Sequence, residues 1–357
     1  MASFLQLHLL TSYPPSNLNR DDMGSPKSAI VGGTNRIRIS SQSLKRAWRV
    51  SDVFAATVSA SGKRTKELGS QIVLPKLLAA GVEEKLAIKA ATSIAGVFGK
   101  NKSDKKDPKV ALDIEQIAFI SPEELTAIDA LIARVAATKE EPSAKELELF
   151  RKTNTAADLA LFGRMLASKP EFNVEAAAQV AHAFTVHAAQ AQDDFFTAVD
   201  DLASGKDDAG ASHLGEREFA AGLYYLYICI NVDLLRENLA VAADSDQTAD
   251  IAKRALRGLT EAALSIAPTG MQNSFASRAR ASFVLAEIGT EQPRSLSVAF
   301  LKAVKGDDIL GQAITSLTTI QSNMDSVYGA CADKRYTLDT TKPAGTLKDL
   351  LTFVEGA

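Results

Sequence analysis

Within residues 34–49 the hydrophobic period of the chain changes once, and that change restricts what the segment can fold into. Arg36-Ile37-Arg38-Ile39 alternates at period two, the spacing of a strand with arginine on one face and isoleucine on the other. Ser40-Ser41-Gln42-Ser43 follows, a run of helix-capping residues, and beyond it Leu44, Ala47 and Trp48 form one stripe at helical spacing. Ahead of the strand, Gly32-Gly33 after Ile30-Val31 permits a tight reversal. The segment is expected to run hairpin, strand, helix.

Its charges point to a polyanion. Arg20, Lys27, Arg36, Arg38, Lys45, Arg46 and Arg49 face only Asp21 and Asp22 between residues 16 and 49. Lys45 and Arg49 stand four apart on one helix face, where like charges repel. A helix N-terminus flanked by serines and Gln42 offers free N–H donors to a phosphate. A basic face on a lone helix is usually just solvated. Joined to an arginine strand and a glycine turn, it reads as one anion-binding surface.

The whole chain, 357 residues with net charge −3, does not read as a coat for nucleic acid. From Arg20 to Arg64 there are nine Lys/Arg against three Asp, so the remainder carries −9. That contrast suits a local groove better than a basic tail. Two cysteines, Cys229 and Cys331, are too few for a disulfide framework or a cysteine zinc site and fit a reducing cytoplasm. MASFLQLHLL lacks the basic start and cleavage site of a signal peptide and reads as a first strand. No apolar run reaches the ~18 residues of a membrane helix, so no membrane is expected.

After the basic stretch, residues 65–171 turn Ala-, Leu-, Lys- and Glu-rich with helical periodicity. Ser121-Pro122-Glu123-Glu124 sets a capping box with proline at the first helical position, and Ser143-Ala144-Lys145-Glu146 repeats the spacing. Gly99–Lys109 reads as a mobile, exposed, lysine-bearing loop. Strands are expected at Ala181–His187, Leu223–Val232 and Ser282–Ile288, with a Gly/Asp-rich hairpin tip at Ser204–Gly210. Helices are expected over Thr248–Ile266, Leu296–Val304, Ile309–Tyr328 and Leu347–Val354.

Without the inserts the order is strand, helix, strand, strand, helix, strand, the ferredoxin-like or RNA-recognition-motif topology. The fold class expected is α+β. A palm of residues 1–60, 179–190 and 221–357 would carry a helical insertion at 61–178 and a hairpin at 191–220. The aromatic signatures of an ordinary RNA-recognition motif are missing, so Tyr224, Tyr225 and Tyr227 read as core and sheet-face residues.

The segment LNRDDMGSPKSAIVGGTNRIRISSQSLKRAWR (18–49) resembles the N-terminus of the CasC-type backbone subunit of Cascade, the type I-E CRISPR surveillance complex. DLALFGRM (158–165), AHAFTVH (181–187), FFTAVDDL (195–202) and SHLGEREFAAGLYY (212–225) resemble further segments of that family, in its order. The helical insertion and the C-terminal third resemble it more loosely. The resemblance implies a non-catalytic RNA-binding protein shaped like a hand, with palm, helical fingers and a hairpin thumb. It implies copies stacked head to tail along a CRISPR RNA, other Cascade subunits as partners, and target DNA met through the guide heteroduplex. No cofactor is implied.

On this resemblance Arg20, Lys27, Ser40, Gln42, Lys45 and Arg49 are expected at spacer phosphates, contacts that position RNA without reading bases. Arg46 is placed with them, with a turn toward the protein as its alternative. Arg164 is expected at the RNA, and Met165 after it resembles the family's apolar wedge at an RNA kink, with a core position as the alternative. Phe195, Phe196 and Thr197 lie where the thumb meets the kinked nucleotide. One of the two phenylalanines could instead anchor the hairpin to its palm. Related members carry tryptophan where this chain has Phe195.

The rival reading is a metal-dependent nuclease. Asp21-Asp22, Asp193-Asp194, Asp200-Asp201 and Asp207-Asp208 are paired carboxylates of the kind that hold Mg2+. Adjacent strand residues point to opposite faces, however, and aspartate is also a common turn former. His8, His182, His187 and His213 show no metal-binding spacing, and no nucleophile elbow, Walker or dinucleotide loop appears. An RNA-binding scaffold outside CRISPR would explain the basic stretch but not the ordered segments that follow.

Overall fold

The computed structural model describes residues 3–58, 60–103, 108–152, 154–166, 169–198, 213–239 and 245–357. Asp200, Asp201, Asp207, Asp208 and the expected hairpin tip lie outside the described residues. Strands among them are β1 (Phe4–Ser16), β2 (Ser28–Val31), β3 (Thr34–Ile39), β4 (Lys63–Thr65), β5 (Ala118–Ile120), β6 (Ala178–Val180), β7 (Ala183–Thr185), β8 (Gln192–Ala198), β9 (His213–Asn231), β10 (Ala281–Gly289) and β11 (Lys334–Asp339). The chain divides into two compact units. The first is 1–54, 179–231 and 256–357; the second is 55–178 and 232–255. Residues 232–255, expected in the palm, thus fall in the second unit.

In the first unit the strands run β11-β10-β1-β9-β7-β3-β2, and β6 and β8 also pair with β9. Neighbours along that path are antiparallel among the described residues. In chain order the four strands β10-β1-β9-β7 are fourth, first, third and second. Helix α1 (Ser41–Arg49) intervenes between the first and second, and a helix over Ser245–Ser265 between the third and fourth. The fold is α+β, with the split βαβ arrangement expected of an RNA-recognition-motif palm.

β1 is central because both of its faces can be buried: Leu5, Leu7 and Leu9 on one, Gln6, His8 and Leu10 on the other. Leu7 lies opposite Ile228 on one side and Ala286 on the other. Leu10, Tyr225, Phe283, Leu285 and Phe300 form a core with Ala313 and Leu317 of the helix Ile309–Tyr328. Each such large side chain contributes about 1.5–3 kcal/mol by leaving water. His8 and Glu287 are polar yet fully buried, and they are satisfied. His8 Nδ1 meets the Tyr225 hydroxyl at 2.9 Å, and Nε2 meets Glu287 at 3.2 Å. Arg294 and Arg335 also donate to Glu287. Burial alone pushes the Glu287 pKa up, but the bonds from His8, Arg294 and Arg335 outweigh it and hold the carboxyl well below the usual range.

The second unit packs the helices Glu84–Phe98 and Pro122–Thr138 around Ala91, Ile94, Phe98, Ile128, Leu131 and Val135. Its small sheet is β4-β5. The capping box forms: Ser121 accepts from Glu124 N, and Glu124 accepts from Ser121 N. At Ser143 the same spacing gives one turn and no helix. Glu146 accepts from the Ser143 backbone and hydroxyl, but Arg134 also engages its carboxylate. The described part of Gly99–Lys109 is tied down, with Asn101 donating to Thr92 O and Ala111 O.

In the first unit one expectation changes and one strand is added. Residues 296–304 make only a short 3-10 turn, Ser297–Phe300, because Leu296 and Phe300 are drawn into the core. β11, unmarked by alternation, forms because β10 offers it an edge.

Candidate nucleic-acid interface

The β2–β3 hairpin closes on Gly32 and Gly33 at φ +57° and +72°, values that favour glycine. A Cβ at Gly32 would sit 1.7 Å from Leu301 O, so only glycine lets the turn approach. β3 then presents its arginines unequally. Arg36 is fully buried, donating to Thr185 O at 3.0 Å and to Phe300 O at 3.1 Å. The expected arginine face is therefore corrected: Arg36 is a strut under the hairpin, and Ile37 is also buried.

Asn19, which no motif marked, brings the basic residues together. Its backbone carbonyl accepts from Lys27 N at 2.9 Å, and its Oδ1 accepts from Ser40 N at 2.8 Å. Lys27 O in turn accepts from Arg38 N at 2.7 Å. One residue thus joins the Arg20–Lys27 loop to the N-cap of α1. Within the loop, Asp21 Oδ1 accepts from Met23 N and Ser25 N. Asp21 is a turn former in this fold.

Ser40 is the N-cap of α1, and its side chain makes no capping bond. Leu44 and Trp48 bury the apolar stripe, with Trp48 Nε1 donating to Ile266 O at 3.2 Å. Gln42 and Arg46 are exposed; Lys45 and Arg49 are half-buried. Arg46 does not turn inward: with Arg20 it lines an open cleft of 1190 Å³. Arg278 and Arg280, which no pattern in the sequence singled out, line the same cleft with Val50 and Leu264. Asp21, Asp52 and Glu261 line it too, so the cleft sets four guanidinium groups against three carboxylates beside apolar surface.

In the β8–β9 hairpin the two phenylalanines part company. Phe196 lies over Gly215, where a Cβ would come within 2.3 Å of its ring, and Arg217 stacks 4.4 Å from the ring centre. Phe195 is 66% exposed and Thr197 is exposed. Phe196 thus packs across its own hairpin, and Phe195 is the more exposed of the two rings.

In the second unit, Arg164 is buried. Its Nη1 meets both oxygens of Glu124, at 2.9 and 2.8 Å, and its Nε and Nη2 donate to Phe172 O. Arg164, expected at the RNA, is here buried with its guanidinium on the Glu124 carboxylate. Gly163 at φ +74° and the backbone bridge Arg164–Val174 complete the turn. Met165 is left 88% exposed, which removes the core alternative.

Among the described residues no group of three or more His, Cys, Asp or Glu is placed to hold a metal ion. Asp193 and Asp194 point to opposite faces of β8, across from Glu218 and Arg217. No helix among the described residues is long and apolar enough to cross a membrane.

Residues 5–352 match the model of the CT1975-like protein family. No curated protein sequence matches the chain. A solved chain of a CRISPR RNA-guided surveillance complex, pre-nicking, superposes with a TM-score of 0.82 at 29% identity, covering 99% of each chain. A chain of another CRISPR RNA-guided surveillance complex gives 0.59 at 24% identity over 98% of this chain and 99% of that one, a likeness of fold alone. With the family model spanning all but the chain's ends, this protein belongs to the CT1975-like protein family.

Proposed function

We propose that this chain is a Cascade-type subunit that associates with CRISPR RNA, and more finely that it is a type I-E backbone subunit without catalytic activity of its own. In this reading copies pack head to tail along the spacer, beside other subunits, in the cytoplasm. Arg20, Lys27, Ser40, Gln42, Lys45, Arg46 and Arg49 hold phosphates. Met165 and Phe195 act as apolar surfaces beside kinked nucleotides, with Thr197 next to Phe195, while Phe196 and Arg164 hold the two presenting segments in place. Bases left outside the kinks then pair with target DNA.

One observation carries the reading: Asn19 draws the Arg20–Lys27 loop onto the N-cap of α1, gathering cations and helix N–H donors on one surface. The test is mass and A260/A280 of the purified protein, expressed with and without a CRISPR RNA and its partner subunits. Large RNA-bearing assemblies are expected, shrinking to RNA-poor species in Arg20→Ala/Lys27→Ala/Arg46→Ala. A monomer free of RNA in the presence of guide and partners would contradict the proposal.

A further inference from the structure

Arg38 is absent from the surface just described, yet its guanidinium is already held in place. Its Nε donates to Ser28 O at 3.0 Å, and its Nη1 lies 3.0 Å from Nδ1 of His182, in the loop between β6 and β7. Among the described residues these two bonds leave three of its five N–H donors uncommitted. A guanidinium cannot accept, so His182 Nδ1 must be the acceptor, and the neutral ring carries its proton on Nε2. Lys27, bonded through its backbone to Arg38 N, supplies a second cation close by. His182 is exposed, and no carboxylate pairs with Lys27, Arg38 or His182 among the described residues. Burial, followed by the Arg38 and Lys27 charges, holds the His182 pKa below its ordinary value.

We propose that Lys27, Arg38 and His182 form a phosphodiester subsite, at which His182 takes up a proton as the RNA backbone binds. The inference rests on the RNA-binding reading above and extends it to two residues that reading does not use. Without an anion, a protonated His182 faces two cations and forfeits the Arg38 bond. A phosphate between them reverses both penalties: it accepts from the imidazolium, from Arg38 and from Lys27. Binding then raises the His182 pKa, and by linkage affinity rises as pH falls through that range. The groups facing the ring are Arg38 from β3 and Lys27 from the loop before β2. His187 is not a competing site of this kind, because its Nε2 accepts from Leu223 N and its Nδ1 meets Ala188 O.

The experiment is fluorescence anisotropy of the full-length protein with a cyanine-labelled single-stranded RNA, at fixed ionic strength, from about pH 8 to about pH 6. Wild-type affinity is expected to rise about 3- to 10-fold as pH falls, a pKa shift of up to about one unit. His182→Gln is expected to bind with a flat profile over the same range. Arg38→Gln, read by salt titration, is expected to lower the salt slope by about 0.7, one phosphate contact on a single strand. A flat wild-type profile with intact RNA binding overturns the subsite and leaves the RNA-binding reading standing, as does a His182→Gln profile as steep as wild type. Loss of RNA binding at every pH overturns both.

Discussion

The two units use their basic residues differently. In the second unit about half of the described cations sit in ion pairs, among them Lys76 with Asp129, Lys89 with Glu141, Lys100 with Glu115, Lys102 with Asp113, Lys109 with Glu84, and Arg164 with Glu124. In the first unit Arg20, Lys27, Arg38 and Arg46 make no ion pair among the described residues. Positive charge alone does not mark a nucleic-acid surface, since a paired lysine must give up its partner before it can neutralise a phosphate. An unpaired one gives up only counterions and water. Lys100, Lys102 and Lys109, the described lysines of the loop at Gly99–Lys109, are in ion pairs, whereas Arg38 of β3 is in none among the described residues.

Variants can break or sharpen that contrast. The largest effect is expected within the second unit and on stability. Arg164→Met leaves Glu124 buried without its cation and should cost about 3–5 kcal/mol in urea unfolding. The charge-reversed set Arg20→Glu/Lys27→Glu/Arg46→Glu should weaken RNA binding by about 100-fold or more at moderate salt, read by anisotropy, since three phosphate contacts are lost. Its unfolding midpoint should stay near wild type, because none of the three is in an ion pair. Phe195→Ala should lose about 1–3 kcal/mol of RNA affinity, the worth of one stacked base. Phe196→Ala should act on the hairpin instead, raising proteolytic cleavage near it. Smallest of all, Lys100→Ala/Lys102→Ala removes one exposed and one half-buried pair, worth about 1 kcal/mol or less each, and RNA affinity should hardly move.

A pH profile checks the buried charges. The folded pKa of Glu287 lies below its unfolded value, so the carboxylate stabilises the fold fully above about pH 4.3. That contribution is lost as pH falls through the folded value. His8, whose pKa burial lowers, works in the same direction, favouring the fold where it is neutral. Acid unfolding followed by circular dichroism should therefore be less steep in Glu287→Gln than in wild type, from a lower starting stability.

Much of this was legible in residues 30–49, where glycine turn, strand and helix follow from period and propensity. The capping box at Ser121 was legible for the same reason: its partners are three residues apart. What was not legible depends on distant pairing. Arg36 and Arg38 share one strand face by period two, yet Thr185 O and Phe300 O bury the first while His182 meets the second at the surface. Arg164 followed a family motif, but its partner Glu124 lies forty positions away. Asn19 carries no signal in one sequence, because an asparagine in a loop is ordinary until both of its bonds are seen. Ser143 had the right spacing, but Glu146 is shared with Arg134, and Leu149 and Phe150 are drawn into the core just beyond the turn, so no helix follows.

Whether unpaired cations are what hold the RNA is tested most directly by the salt dependence of affinity, measured side by side for two neutralised proteins. One is Arg20→Gln/Lys27→Gln/Arg46→Gln in the first unit; the other is Lys89→Gln/Lys100→Gln/Lys109→Gln in the second. The first set should lower the slope of log affinity against log salt by about 2, while the second leaves it near wild type. Equal losses in the two sets, or a larger loss in the second, would contradict the role given to the unpaired cations.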